Sequence, residues 1–139
     1  MKEANMRFGD YIRKKRLEDS RELTMQNIAD HLGISLSYMS AIENHRKPPF
    51  DGQKLEQLAK YLNLSDNEAA LMFDLACKES RGVPYDIEDV FLNTKIGEMA
   101  RYALRLSKAG LLKKSDWKAL IRKAKAKKKK QNRSNGKNA

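Results

Sequence analysis

The sequence predicts an all-α protein, and three observations carry that prediction. Apolar residues recur at three- and four-residue spacings along most of the chain. The 7 Gly and 3 Pro sit in short breaks between those runs, and no segment alternates apolar and polar residues as a half-buried strand does. With 139 residues and 16.0 kDa, the chain has room for one domain or two very small ones and is long enough to bury a core without staples. It is 40% hydrophobic and 34% charged, which is polar but still foldable.

Phe8, Tyr11 and Ile12 recur at i, i+3 and i+4, with Arg13, Lys14 and Lys15 on the other face. They predict a first amphipathic helix from about residue 6 to 18. Asp19 to Glu22 breaks it. Thr24 is an N-cap for a helix through Leu32, Gly33 suits the left-handed residue after it, and Ser35 caps the next helix, which runs to about Asn44. Lys47-Pro48-Pro49-Phe50 cannot continue a helix, because each proline lacks an amide donor and restricts its predecessor. A fourth helix follows, with Leu55, Leu58, Ala59 and Leu62 on one face.

Ser65 and Glu68 have capping-box spacing and open a helix through about Glu79 that is nearly encircled by apolar residues, so it needs cover on most sides. Arg81 to Pro84 is a turn. Ile87, Val90 and Phe91 suggest a short helix, and Ile96, Met99, Ala100, Ala103 and Leu104 a longer one ended by Gly110. Met72, Phe73, Ile96, Met99 and Leu104 read as core. Ser115 is the expected cap of a last helix carrying Trp117, Leu120, Ile121 and Ala124, with Trp117 anchoring it. The expected division is 1–64, 65–122 as a second small helical subdomain packed on the first, and 123–139 as a tail.

The formal net charge is +11, and its position matters more than its size. Residues 1–112 carry 17 bases and 17 acids, whereas from Lys113 onward 12 bases accompany one acid, Asp116. The whole excess therefore lies on the last helix and a tail with nothing apolar beyond alanine. Such a tail is expected to be disordered. It is either a solvated aid to solubility or a basic arm held near phosphates or an acidic surface.

The segment from Met25 to Asn44 carries the strongest pattern. Ile28, Leu32, Ile34, Met39 and Ile42 are what two steeply crossing helices must turn toward a shared core. Ala29 is small where the second helix approaches closely, and Gly33 supplies a positive φ. Leu36, Ser37, Ser40, Ala41 and Asn44 remain outward on one strip that a major groove could receive.

From Phe8 through Leu64 the chain resembles the Xre/Cro-like phage-repressor family of helix-turn-helix transcriptional regulators. The resemblance is carried by FGDYIRKKR, LTMQNIADHLGISLSYMSAIENHRKPP and KLEQLAKYLNLS. It implies a lambda-repressor-like domain with Ser35 to Asn44 as the recognition helix, Leu36, Ser37, Ser40 and Ala41 facing base edges, and double-stranded DNA as partner. Tyr38, Asn44, Arg46 and Lys47 would lie near phosphates, joined by Gln26 and the amides at the start of the preceding helix. It also implies an ion pair between Arg16 and Glu43.

Three departures accompany the resemblance. Met25 stands where the family usually has glutamine, and it cannot make an amide clamp. His45 stands where glycine is usual, which predicts a different or strained turn. The loop before Leu23 is slightly longer than usual. The strip also lacks Arg, Gln or Asn for bidentate base pairing, so thymine methyl contacts, hydroxyls and DNA shape would carry discrimination.

Other chemistries find little support. Cys77 cannot form an intramolecular disulfide, and one Cys with His31 and His45 cannot assemble a His/Cys zinc site. Cys77 is expected as an inert buried thiol and His31 as a surface residue. Asp86, Glu88 and Asp89 read as dipole partners on a solvated face without a nucleophile nearby, and glycine-rich phosphate loops are missing. No catalytic residue, metal or cofactor is expected. Neither a bilayer-spanning run nor a secretory leader is visible, so a cytoplasmic, nucleoid-associated place and no membrane partner are expected. The function expected is a sequence-specific regulator, a repressor binding an inverted repeat as a homodimer, with the basic arm adding nonspecific affinity. The nearly all-apolar helix after Ser65 is the candidate dimer or partner element, or else an intramolecular cap. An antitoxin-type protein with a protein partner on 65–122, or an RNA- or protein-binding adaptor using the tail, are the alternatives.

Overall fold

The computed structural model describes residues 2–137 and contains only helices among them. The helices are α1 (Phe8–Glu18), α2 (Met25–Leu32), α3 (Leu36–Glu43), α4 (Gly52–Tyr61), α5 (Asp66–Ser80), α6 (Glu88–Asn93), α7 (Lys95–Lys108) and α8 (Lys114–Lys137). Short 3-10 turns lie at Glu3–Asn5 and Tyr85–Ile87. Two compact units result, Met1–Asp89 and Val90–Ala139.

Local chemistry sets the ends of the first unit's helices. Thr24 accepts from the Asn27 amide at 3.0 Å while Asn27 accepts from the Thr24 amide at 2.9 Å, a reciprocal cap that starts α2. Gly33 ends α2 at φ +68°, and Ser35 starts α3 by accepting from the Tyr38 amide at 3.0 Å. Asp51 caps α4, and Ser65 with Glu68 forms the capping box of α5. All five helices contribute to one core. Ile28, Met39 and Leu58 are fully buried there, each worth about 1.5–3 kcal/mol relative to exposure.

The expected boundary at 64/65 falls inside this first unit. Helix α5 buries Met72, Phe73, Leu75 and Ala76 in the same core, and it is tied to α1 by polar contacts. The Tyr11 hydroxyl donates to the Glu68 carbonyl at 3.0 Å, and Lys15 Nζ reaches the Glu68 carboxylate at 2.8 Å. Burial pushes the Tyr11 phenol up to about 12. The Lys15 hydrogen bond and then the Ser65 amide hold the Glu68 carboxyl down at about 2. The apolar side of α5 is therefore spent within its own chain, the packing that an intramolecular cap requires.

In the second unit, Thr94 caps α7 by accepting from the Gly97 amide at 3.0 Å. Gly97 is required by close packing, because a Cβ there would collide with the carbonyls of Val90 and Phe91. Arg101 donates to the Phe91 carbonyl, Trp117 Nε1 to Ser107 Oγ at 2.5 Å, and Ser107 to the Leu112 carbonyl at 2.8 Å.

Other expectations change here. Ile96, Met99 and Leu104 are 64%, 68% and 51% exposed rather than core, since the covered side of α7 runs through Gly97, Ala100, Arg101 and Ser107 instead. Ser115 lies inside α8 rather than capping it; the Asp116 carboxylate instead accepts from the Lys113 amide at 2.8 Å. The segment expected as a disordered tail continues α8 through Lys137. Its Ala, Lys, Arg and Gln are good helix formers, and no Pro interrupts them. Cys77 is half-buried rather than buried, with its thiol donating to the Gly82 carbonyl.

Candidate nucleic-acid interface

Helices α2 and α3 meet through a three-residue turn whose geometry follows from Gly33. Its left-handed backbone lets the Ile34 amide reach the Ala29 carbonyl at 2.9 Å, and nothing lies within 4 Å of where a Cβ would stand. Ala29 is fully buried beneath α3. One side of α3 turns Met39, Ile42 and Glu43 into the core. The other side leaves Leu36 and Ser37 exposed, and Ser40 and Ala41 half-buried.

A buried ion pair fixes the far end of α3. Arg16 Nε and Nη2 each reach a Glu43 carboxylate oxygen at 3.0 Å, and Arg16 Nη1 donates to the Leu23 carbonyl at 3.2 Å. The two side chains are 12% and 3% exposed, so this fork is largely dry. Next to it, α1 approaches α3 so closely that only glycine fits at position 9. A Cβ there would stand 2.5 Å from the Ile42 carbonyl oxygen.

The remaining predicted residues surround α3. Ser35 is exposed and occupied as the helix cap. The exposed Tyr38 ring lies 5.9 Å from that of Phe50, which props it against the fold. Asn44 donates from Nδ2 to the Ser40 carbonyl at 2.9 Å and to Ser40 Oγ at 3.3 Å, and Arg46 Nη2 reaches the same Oγ at 3.4 Å. The Ser40 hydroxyl is thus held by two neighbours, a linkage with no signature in the sequence. Lys47 is exposed, and Gln26, exposed on the first turn of α2, donates to Asp30 at 2.7 Å.

Met25 is half-buried and packs against the core where the resemblance has an amide clamp. His45 keeps the left-handed turn that glycine usually makes, at φ +64°, and its Nε2 lies 3.0 Å from Asp10 Oδ1. The expected strain is therefore present in an unchanged turn, and the Asp10 contact helps hold it. His31 is exposed, its ring stacked on Tyr61 at 4.1 Å. An open cleft of about 400 Å³ beside the turn after α3 is lined by Arg7, His45, Arg46 and Lys47, with Glu79 bound to Arg7 at 3.1 Å. The sequence reading missed Arg7, which only the folding of α1 onto the end of α3 brings to this place.

Residues 7–72, just under half of the chain, match the family whose description is helix-turn-helix domain, in keeping with the pairing of α2 and α3 there. The match is consistent with the Xre-like resemblance and ends inside α5. No curated protein and no solved structure matches the chain. Among the described residues, no helix is long and apolar enough to cross a membrane and no group of His, Cys, Asp and Glu could hold a metal ion.

Proposed function

We propose that this protein is a sequence-specific DNA-binding repressor that occupies an inverted repeat as a homodimer, with α3 in the major groove. The observation that carries the reading is the division of α3 itself. Met39, Ile42 and Glu43 anchor one side in the core, while Leu36, Ser37 and Tyr38 stay open on the other, with Ser40 and Ala41 at its edge. In this reading Leu36, Ser37, Ser40 and Ala41 meet base edges through methyl and hydroxyl contacts. Tyr38, Asn44, Arg46, Lys47 and Gln26 lie along the phosphates, and Ser35 starts the helix at the groove. The cleft that holds Arg46 and Lys47 suits a phosphate run.

Two-fold pairing follows from the single recognition helix per chain, since half-sites about 34 Å apart on one duplex face need two copies. Support for association comes from the second unit, where Ile96, Met99, Leu104, Leu120 and Ile121 are all more than half exposed. The same surface favours a second reading, an antitoxin-type regulator that holds a partner protein there. Sedimentation equilibrium separates the two, because the first demands twice the 16.0 kDa chain mass from purified protein alone.

Selection of sites from a random DNA pool tests the reading itself. A palindromic motif is expected, and replacing Ser37 and Ala41 together with Glu should abolish binding to it while helicity is unchanged. Retained binding by that variant would remove α3 from the contact.

A further inference from the structure

The first unit, residues 1–89, carries 13 bases and 16 acids, so the helix-turn-helix unit bears a net charge of −3. Residues 90–139 carry 16 bases and 2 acids. A polyanion such as duplex DNA repels the first unit at long range and attracts the second, so contact chemistry and electrostatic attraction sit on different parts of this chain.

The basic part has a defined shape. Helix α8 is continuous from Lys114–Lys137, and Lys118, Arg122, Lys125, Lys129 and Arg133 follow one another at spacings of three and four residues, which places them on one face. The stripe runs about 22 Å at 1.5 Å per residue. All five side chains are exposed, and after Asp116 no acid interrupts them. Among the described residues, no base of α8 has an ion pair within the chain. Trp117, Leu120, Ile121 and Ala124 occupy a separate face, so the stripe stays free if that apolar face packs against protein.

We propose that α8 is a second nucleic-acid-binding element, a preformed basic helix that lays its five-residue stripe along the phosphates of duplex DNA and supplies most of the salt-sensitive affinity. The proposal rests on the DNA-binding reading of the first unit but concerns a different surface. Like charges at i and i+4, such as Lys125 with Lys129 and Lys129 with Arg133, disfavour the free helix slightly, and phosphates alongside remove that repulsion. An anionic membrane is the less suitable occupant. Large apolar side chains end at Ile121, so the basic portion has no face to bury among acyl chains.

The test uses the full chain and random-sequence duplex, with binding measured between 50 and 200 mM salt. One variant carries Arg122→Gln, Lys125→Gln, Lys129→Gln and Arg133→Gln. A second removes equal charge off the stripe through Lys123→Gln, Lys127→Gln, Lys128→Gln and Lys130→Gln. If each stripe base neutralises one phosphate, the first variant flattens the slope of log affinity against log salt by about 3.6, so it loses roughly 150-fold less affinity than the wild type across that fourfold salt range. The second variant should keep most of the slope. Equal flattening in both would overturn the stripe in favour of diffuse charge, and no flattening in either would take α8 off DNA. Variants that keep duplex binding but lose binding to phosphatidylserine vesicles would assign the helix to a membrane instead. Wild-type preference for a selected site over random duplex reports on α3 separately, so either reading can fail while the other stands.

Discussion

The Arg16–Glu43 fork offers the sharpest test of how the helix-turn-helix is held. Replacing Arg16 with Met keeps an apolar stem of similar length and leaves the Glu43 carboxylate, 3% exposed, without its partner. Two charge-assisted hydrogen bonds of 3.0 Å are lost together with the bond to the Leu23 carbonyl. Breaking a buried pair from one side costs about 3–5 kcal/mol, against a total stability of about 5–15 kcal/mol for ordinary domains. Taking about 4 kcal/mol and an m-value of roughly 1.5 kcal/mol/M, the urea midpoint should fall by roughly 2.7 M. Equilibrium urea unfolding of the full chain, followed by circular dichroism, reads this directly. The double variant Arg16→Met, Glu43→Leu should recover to within about 1 kcal/mol of the parent, because two apolar side chains pack where two charges were desolvated. A single-variant loss below about 1 kcal/mol, with no coupling in the cycle, would refute the argument that this fork is dry and structural.

Two glycines make a contrasting pair. Gly9→Ala should destabilise the first unit by about 1–3 kcal/mol through overpacking, because its Cβ meets the backbone of α3. Gly33→Ala should cost about 1–2 kcal/mol through left-handed strain alone, since the space around it is open. Thermal unfolding of both, with crystallography of Gly9→Ala to look for a shift at Ile42, distinguishes the two causes. Acid sensitivity should depend on Glu68. Its carboxyl is held at about 2 in the folded chain, below the usual 4.5, so the stability it contributes is present above the unfolded value and is lost as pH falls from about 5 toward 2. Glu68→Gln should flatten that part of the stability curve measured by urea titration at each pH, and an unchanged slope would mean that the Lys15 bond does not persist in solution.

Much of the first unit was legible because its signals are local. Thr24, Ser35 and Ser65 each sit three residues before the amide they satisfy, and Gly33 needs only its own backbone to be understood. Asp51 and Thr94 are caps of the same kind and were open to the same reading. What escaped depends on contacts far apart in the chain. The docking of α5 on α1 joins Tyr11 to Glu68, and no periodicity in either helix names the other as partner. The same holds for His45 with Asp10 and for Arg7 beside the turn after α3. Helix α7 misled in the opposite direction. Its apolar spacing is that of a core helix, but spacing cannot tell whether a covering surface belongs to the same molecule. In α8 composition was read as disorder where helix propensity and the absence of Pro decided the outcome.

The seating of α5 also sets where this protein can be cut. A fragment stopped at Leu64, just before α5 begins, would strip a wall from the core, leaving the Tyr11 hydroxyl without the Glu68 carbonyl and taking Met72 and Leu75 out of the cluster. A laboratory seeking a minimal piece for spectroscopy, or a gene fusion borrowing this domain for another task, should carry the chain through Asp89.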